Sequence, residues 1–401
     1  MGSRSACCTY TGSIGKKSAV IKSSPNKYHY IFTGAGCAGL SLLMHLLDSG
    51  KFADKKILLI DKSPKDSNDR TWCFWETGTS LFESIVYKRW NEAWYHSDRF
   101  SRLLELSPYQ YKMIRGIDFY DYCLGIIRQH SNIEILHATV DNIYYDETSV
   151  TAGGRHYDAE YIFNSILFEK PVLAKKEFYL QQHFKGWMIE TQEPVFNPAQ
   201  ACLMDFRVSQ QHGTTFAYVL PVSENKAMVE YTLFTRQLLD SYQYDEGLQE
   251  YINLFVPGDY AIMEEESGVI PMTNHVFSPG KGNVVNIGSA GGQTKPSSGY
   301  TFYFIQQHSK AIAGALMHTG KPFVQAMHRK RFRYYDSVLL NVLATAKLPG
   351  KKVFDALFKK NRPSDVLRFL NNESAFKTDL AIIASLPTSP FLKAGIQQML
   401  S

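Results

Sequence analysis

The sequence predicts an α/β protein: a Rossmann-type dinucleotide-binding domain, an antiparallel β domain set into it, and a helical C-terminal region. Three stretches predict it. Residues 28–47, YHYIFTGAGCAGLSLLMHLL, read as a strand, a Gly34-x-Gly36-x-x-Gly39 turn and an apolar helix. Residues 55–62, KKILLIDK, read as a second buried strand ending in Asp61, 22 residues beyond Gly39 and close to where a ribose-binding acid is expected. Residues 282–292, GNVVNIGSAGG, return to a buried strand followed by small residues.

Taken in order, residues 1–27 carry Arg4 and four lysines, no acid and many serines, and are expected to be a disordered extension. The nucleotide domain is expected over 28–75, 115–168 and 266–310. Its middle piece holds a helix (DFYDYCLGIIRQH) and strands (IEILHATVDNIYYD, SVTAGGRHYDAEYIFNS). The antiparallel domain is expected over 76–114 and 169–265, where QQHFKGWMIET, QACLMDFRV, TFAYVLPVS and KAMVEYTLF alternate as strands do. Residues 311–401 read as helical.

Composition narrows the function classes. The 401 residues are 44% apolar and 20% charged, as in an ordinary folded protein, and the aromatic share of 13% suits a core or a long apolar ligand. Six scattered cysteines form no C-x-x-C pair and have no histidine at metal spacing, so no metal site is expected. No run of 18 apolar residues predicts a transmembrane helix. Twelve Lys/Arg lie within 321–368 against Asp336, Asp355 and Asp365. No nucleic-acid motif accompanies them. They read either as solvated helix faces or, with Phe323, Leu348, Phe354 and Phe358 nearby, as a surface for an anionic bilayer.

Two glycine-rich strand ends about 250 residues apart favour FAD over NAD, because flavoproteins of the hydroxylase type complete their nucleotide site late in the chain. Gly34, Gly36, Gly39 and Asp61 form the first half of that site, and Gly288, Ser289, Ala290, Gly291 and Gly292 the second, where bare backbone approaches the cofactor. Pro296 to Gly299 are expected to turn beneath the flavin ring, with Tyr300, Phe302, Tyr303 and Phe304 opening a helix.

Residues 68–76, NDRTWCFWE, are chemically unusual. With YIFTGAGCAGLSL, MDFR (204–207), VEYT (229–232), GSAGGQTKPSSGYTF (288–302), YYDSVLLNVL, LRFLNNES and SLPTSPFL, they make the chain closely similar to the lycopene β-cyclase family from about residue 28 to the C-terminus. The resemblance implies a glutathione-reductase-like FAD domain and a reaction without net redox change. In it the ψ-ends of lycopene close to β-rings, through γ-carotene to β-carotene, on bound reduced FAD with NAD(P)H as reductant. It further implies lycopene and other linear carotenoids as substrates, while the scattered cysteines fit a reducing cytosol and the basic stretch a location peripheral to the membrane. The alternative on the same fold is an FAD-dependent isoprenoid reductase or hydroxylase.

Ring closure needs a proton on the terminal alkene, stabilisation of a tertiary cation, and a dry apolar channel. Glu230 in AMVEYTLF is the candidate acid, alone among apolar and aromatic neighbours. A free Glu with pKa about 4.3 is protonated in roughly one molecule in 500 at pH 7, a cost of about 3.7 kcal/mol that burial can remove. The family pattern often has two adjacent acids here, whereas this chain has Tyr231 after Glu230, which leaves the deprotonating base open. Asp205 and Arg207 share one strand face. They read either as a structural ion pair or as a polar wall beside the flavin with Asp205 handling protons. Arg70 is a candidate contact for FAD phosphate or the flavin edge. Trp72 and Trp75 read as core or as channel lining.

Overall fold

The computed structural model describes residues 26–324 and 330–399. The expected extension over 1–27 therefore lies, except for its last two residues, outside the described part, as does Arg329 of the basic stretch. The α/β class is observed, with mixed sheets and C-terminal helices.

In the nucleotide-type sheet, strands Val284–Asn286, Arg155–Asn164, Lys27–Thr33, Ile57–Asp61 and Ile133–His137 lie side by side and parallel in that order. Antiparallel strands Val140–Tyr144, Ser149–Ala152 and Gly280–Lys281 bring it to eight. Its central strands are covered on both faces, so YIF and ILLI are unbroken apolar runs. Helices Cys37–Asp48, Gly116–Ile127 and Phe302–Thr319 share one core on one side of it. Gln306 Nε2 donates to Ser41 Oγ at 2.8 Å, tying the first of these helices to the last.

A seven-stranded sheet follows the order Tyr260–Thr273, Tyr179–Thr191, Lys226–Thr235, Thr214–Pro221, Gln200–Asp205, Glu92–His96, Ser101–Glu105. Every pairing is antiparallel except that of Gln200–Asp205 with Glu92–His96. Period-two alternation sends Val229, Tyr231 and Leu233 to one face, beneath helix Ser241–Phe255, and Met228 and Phe234 to the other. That second, inner face packs against the helices of the C-terminal region. Thr71–Glu76, Gln110–Arg115 and Lys88–Trp90 form a separate three-stranded sheet.

Two expectations change here. The antiparallel domain does not stop at residue 265: the strand continues to Thr273, paired with the neighbouring strand as far as Tyr179. Gly268 and Pro271 make these residues look like a loop, but the strand is at the sheet's edge, where a proline without an N–H is tolerated. The reading of 169–265 as a mostly antiparallel sheet also leaves out helix Ser241–Phe255, whose Asp240/Gln243 capping box is a local signal in the sequence.

The chain from Gly288 to Gly299 is a run of turns, and the helix after it begins at Phe302. Lys295, in this run, is buried, with Nζ 2.6 Å from Asp336 Oδ1 and 2.7 Å from Asn372 Oδ1. This pair fastens the turns to helix Lys330–Ala344. Lys295→Met should lower unfolding free energy by about 3–5 kcal/mol, because Asp336 is then buried without its counter-charge. Denaturant titration checks this, and adding Asp336→Leu should restore most of the loss.

Candidate functional site

The first glycine turn ends in a helix with an open N-terminus. Gly36 caps helix Cys37–Asp48 without any side-chain hydrogen bond, and no acid stands in the first turn. A Cβ on Gly36 would meet nothing within 4 Å, whereas one on Gly39 would lie 2.0 Å from the Gly34 carbonyl oxygen. Gly34 has φ +102°, and a Cβ there would come within 2.2 Å of Ser165 Oγ. Thus two of the glycines let the turn close and the third leaves bare backbone at a positive helix end, a cradle for a phosphate group. Asp61 stands beside it, accepting from Ala35 N at 2.7 Å and Ser63 N at 2.8 Å.

The second glycine run lies against this helix. Gly288 has φ +58°, and a Cβ on it would be 2.6 Å from that of Ala38; Gly291 is pressed to the Asn286 carbonyl and Gly292 to Phe277, while Ser289 is exposed. At the other end of the run, Gly299 presses on Gln182 of the seven-stranded sheet and the Tyr300 ring meets Trp75 at 4.3 Å. Residues 288–300 therefore run from the nucleotide turn to the inner face of the antiparallel sheet. The chain's residues fit FAD at this place. Arg70 is paired with Asp69 at 3.0 Å and more than half exposed.

Glu230 lies on the inner face, with Tyr218 directly opposite on one neighbouring strand and Gly186 on the other. Its carboxyl makes no hydrogen bond or ion pair among the described residues. Beyond Gly186 in the same cross-strand row stands Glu266. A Cβ at Gly186 would meet Glu230 Cγ at 2.8 Å, so the Glu230 side chain leans over the glycine toward Glu266. Burial, then the charge of Glu266, push the Glu230 carboxyl up to about 8. Glu266 is also raised by burial, although Thr71 opposes this by donating N–H at 2.8 Å and Oγ1–H at 2.6 Å to its two oxygens.

Trp75, Met204, Tyr218, Phe234 and Tyr300 line a cavity of about 400 Å³, completed by Phe354 and other apolar residues of the C-terminal helices. The Tyr300 hydroxyl is 3.3 Å from that of Tyr111 and 3.4 Å from that of Tyr218. Burial raises all three phenols and the Cys73 thiol, so these groups stay neutral near pH 7. Trp72 instead packs in the nucleotide-side core, its ring 5.0 Å from Phe119.

Asp205 and Arg207 are not brought to Glu230. They sit on the opposite face of the sheet, where Arg207 binds Asp205 through two nitrogens and Tyr251 of helix Ser241–Phe255 donates to Asp205 Oδ2 at 2.9 Å. A bulge between Cys202 and Asp205 is the reason. With strict alternation Asp205 would share the face of Ala201 and Leu203, but Leu203 and Met204 both turn inward and Asp205 turns out. Burial raises the Asp205 carboxyl, but the Arg207 hydrogen bonds outweigh it and hold the group below the usual range. His96, Cys202 and Asp205 place potential ligand atoms within 4.8 Å of one another, yet Arg207 and Tyr251 occupy the carboxylate and burial keeps the thiol protonated.

Phe354 and Phe358, expected at a lipid-facing surface, are buried, because they pack with Tyr95 and Phe206 in the core. The exposed apolar residues lie further on. Leu392, Ile396 and Met399 are 60%, 49% and 70% exposed and also line the cavity's edge. No helix among the described residues is long and apolar enough to cross a membrane.

The family described as lycopene cyclase protein matches residues 30–395. A search of curated proteins found no match. Among solved structures, a geranylgeranyl bacteriochlorophyll reductase-like protein from Thermoplasma acidophilum is similar at TM-score 0.60 and 11% identity, covering 92% of this chain and 98% of that one. A probable FAD-dependent monooxygenase from Pseudomonas aeruginosa is similar at TM-score 0.50 and 14% identity, covering 94% and 100%. HpxO of Klebsiella pneumoniae, solved in complex with FAD, is similar at 0.52 and 13%, covering 93% and 98%. At such identities the likeness is one of fold, and the fold is that of FAD-dependent reductases and monooxygenases.

Glu266 was not singled out from the sequence. It ends a run of three glutamates before Gly268, and only the pairing register separates it from Glu264 and Glu265. Gly186→Ala should displace the Glu230 side chain and lower turnover on the order of 100-fold while flavin content stays unchanged. Steady-state rates beside the flavin absorbance of the purified variant check this.

Proposed function

The chain belongs to the lycopene cyclase protein family, and on that premise we propose that it is a lycopene β-cyclase that closes the ψ-ends of lycopene to β-rings, through γ-carotene to β-carotene, with FAD bound. One observation carries this reading. Glu230 is a carboxyl without a hydrogen-bond partner among the described residues, beside Tyr218, which lines a cavity of apolar and aromatic side chains.

Such a carboxyl favours its neutral form, and the neutral form is the acid that the first step requires. Glu230 transfers its proton to the terminal alkene, leaving a tertiary cation that the next double bond attacks. Trp75 and Tyr300 offer π faces to that positive charge, and the apolar wall keeps water from capturing it. When bound in its reduced form, with NAD(P)H as electron source, FAD supplies negative charge beside the cation. Gly34, Gly36, Gly39, Asp61, Gly288, Ser289, Gly291 and Gly292 hold the nucleotide in this reading, with Arg70 within reach of a phosphate or the ring edge. Asp205 and Arg207 act as a structural pair bracing helix Ser241–Phe255 against the sheet.

Lycopene is insoluble in water and must come from lipid. Leu392, Ile396 and Met399 follow one another at spacings of four and three on helix Thr388–Met399, with exposed Lys393 among them and exposed Phe376, Lys377 and Leu380 on the preceding helix. This reads as the membrane-facing mouth of the channel, where apolar side chains enter the bilayer and lysines meet anionic headgroups.

Anaerobic incubation of the reduced, flavin-loaded protein with lycopene in liposomes should yield β-rings with no change in mass. A product two hydrogens heavier would establish the reductase reading instead, and a product one oxygen heavier, formed only when air is admitted, the hydroxylase reading. Glu230→Gln should abolish turnover with flavin content intact. In the wild type the carboxyl's pKa is raised on folding, so its stabilising contribution is complete below about pH 4.3 and is lost as pH rises through about 8. Stability relative to Glu230→Gln should fall across that window, and turnover should fall at its upper end. Replacing Leu392 and Ile396 together by Ser should weaken sedimentation with anionic vesicles on the order of tenfold or more, since each buried side chain is worth about 1.5–3 kcal/mol. Equal sedimentation would move the docking surface elsewhere.

A further inference from the structure

The cyclase reading leaves one step without a residue: the removal of a proton from the ring carbon that ends the reaction. We propose that Glu266 is the base for that step, so that Glu230 and Glu266 act as a pair in which one proton is lent to the polyene and recovered. This inference rests on the cyclase reading above.

The geometry begins with the strand register. Glu230, Gly186 and Glu266 are directly opposite one another on three successive strands. Residues two strands apart stand about 9–10 Å from each other at the backbone, too far for short side chains to meet over an intervening one. Gly186 removes the intervening one, and Glu230 Cγ already occupies space that a Cβ there would need. No side chain of the intervening strand then separates the two carboxyl groups, and Met228 Sδ, 3.1 Å from such a Cβ, packs beside the gap.

The two are not equivalent. Glu230 accepts no hydrogen bond among the described residues, whereas both Glu266 oxygens accept from Thr71. Donors favour the charged form, so when the pair holds a single proton it resides on Glu230 and the charge resides on Glu266. Among the described residues no other candidate base is placed here. Cys73, Tyr111, Tyr218 and Tyr300 are kept neutral by burial. The Tyr231 ring is on the opposite face against Gly247, and Asp205 is on that face too. A second acid directly after Glu230 in the chain would have pointed away from it; here the second acid arrives on a neighbouring strand.

The bonds balance. The Glu230 O–H bond breaks as a C–H bond forms on the terminal alkene, and the next π bond supplies the electrons of the new ring C–C bond. The C–H bond at the ring-junction carbon then breaks. Its electrons become the ring double bond, and its proton goes to Glu266. Transfer of that proton across the Gly186 gap returns both groups to their starting state, with no oxidant, reductant or net proton consumed.

A single-turnover reaction in deuterium oxide, with reduced flavin and lycopene in liposomes, tests the division of roles. Wild type should form β-rings carrying deuterium. Glu230→Gln should leave every carotenoid unlabelled. Glu266→Gln should form β-rings at least about 100-fold more slowly, while deuterium still enters recovered lycopene or rings whose double bond lies elsewhere. Glu266→Asp, which keeps a carboxylate one methylene further back, should restore part of the β-ring rate. Flavin absorbance reports folding in each variant. β-Rings formed by Glu266→Gln within threefold of the wild-type rate would overturn the proposal. So would a flavin-loaded Glu266→Gln or Glu266→Asp that incorporates no deuterium, because Glu266 would then be needed before the cation forms. Absence of rings from the wild type is a separate result, which refutes the cyclase reading itself.

Discussion

A carboxyl group held in an apolar sheet face, with no hydrogen-bond donor among the described residues, is the constraint on which the rest of this structure turns. Leaving Glu230 so exposed to a low-dielectric environment costs stability whenever it is charged, and the fold meets that cost by keeping it neutral. Everything around it serves the same end. Tyr111, Tyr218 and Tyr300 satisfy one another's hydroxyls rather than the carboxyl, and Trp75 turns its indole N–H away to the Leu367 carbonyl at 3.1 Å.

The same constraint explains why two sheets and a turn-rich segment converge there. The seven-stranded sheet supplies Glu230 and Glu266, and the three-stranded sheet presents Thr71, Cys73 and Trp75 at alternate positions toward them. Residues 288–300 carry the nucleotide turn's geometry to this face and are fastened from behind by Lys295 and Asp336. A group placed by the glycine turns thus comes to the region where a cation would form. On the antiparallel sheet's other face Asp205, Arg207 and Tyr251 tie helix Ser241–Phe255 to the sheet.

The C-terminal helices have a different task. Some basic residues of this stretch bind within the protein, Arg331 to Asp379 and the Ser374 carbonyl, Lys351 to Asp98 and the Phe206 carbonyl, while Lys321, Lys330, Arg333, Lys352, Lys359, Arg362 and Arg368 are exposed. These helices also expose a row of aliphatic side chains, Leu392, Ile396 and Met399, at the edge of the cavity, so the cavity and the apolar surface are continuous.

The sequence by itself determined the features that depend on neighbours along the chain. The Gly34–Gly39 turn with Asp61 after it, the unbroken apolar strands and the motifs from NDRTWCFWE to SLPTSPFL are local patterns, and they suffice for the fold class, the family and Glu230 as the acid to consider. Only the tertiary structure decided what depends on pairing between distant segments. Glu266 is 36 positions from Glu230 and meets it because both strands flank Gly186. Asp205 left the inner face because one extra residue bulges between Cys202 and it, a shift that no alternation pattern records. Phe354 and Phe358 went into the core, and Leu392, Ile396 and Met399 stayed outside, although all five are equally apolar in the sequence. Local preference sets an element's period, but which face each residue joins follows from the register and packing of its partners.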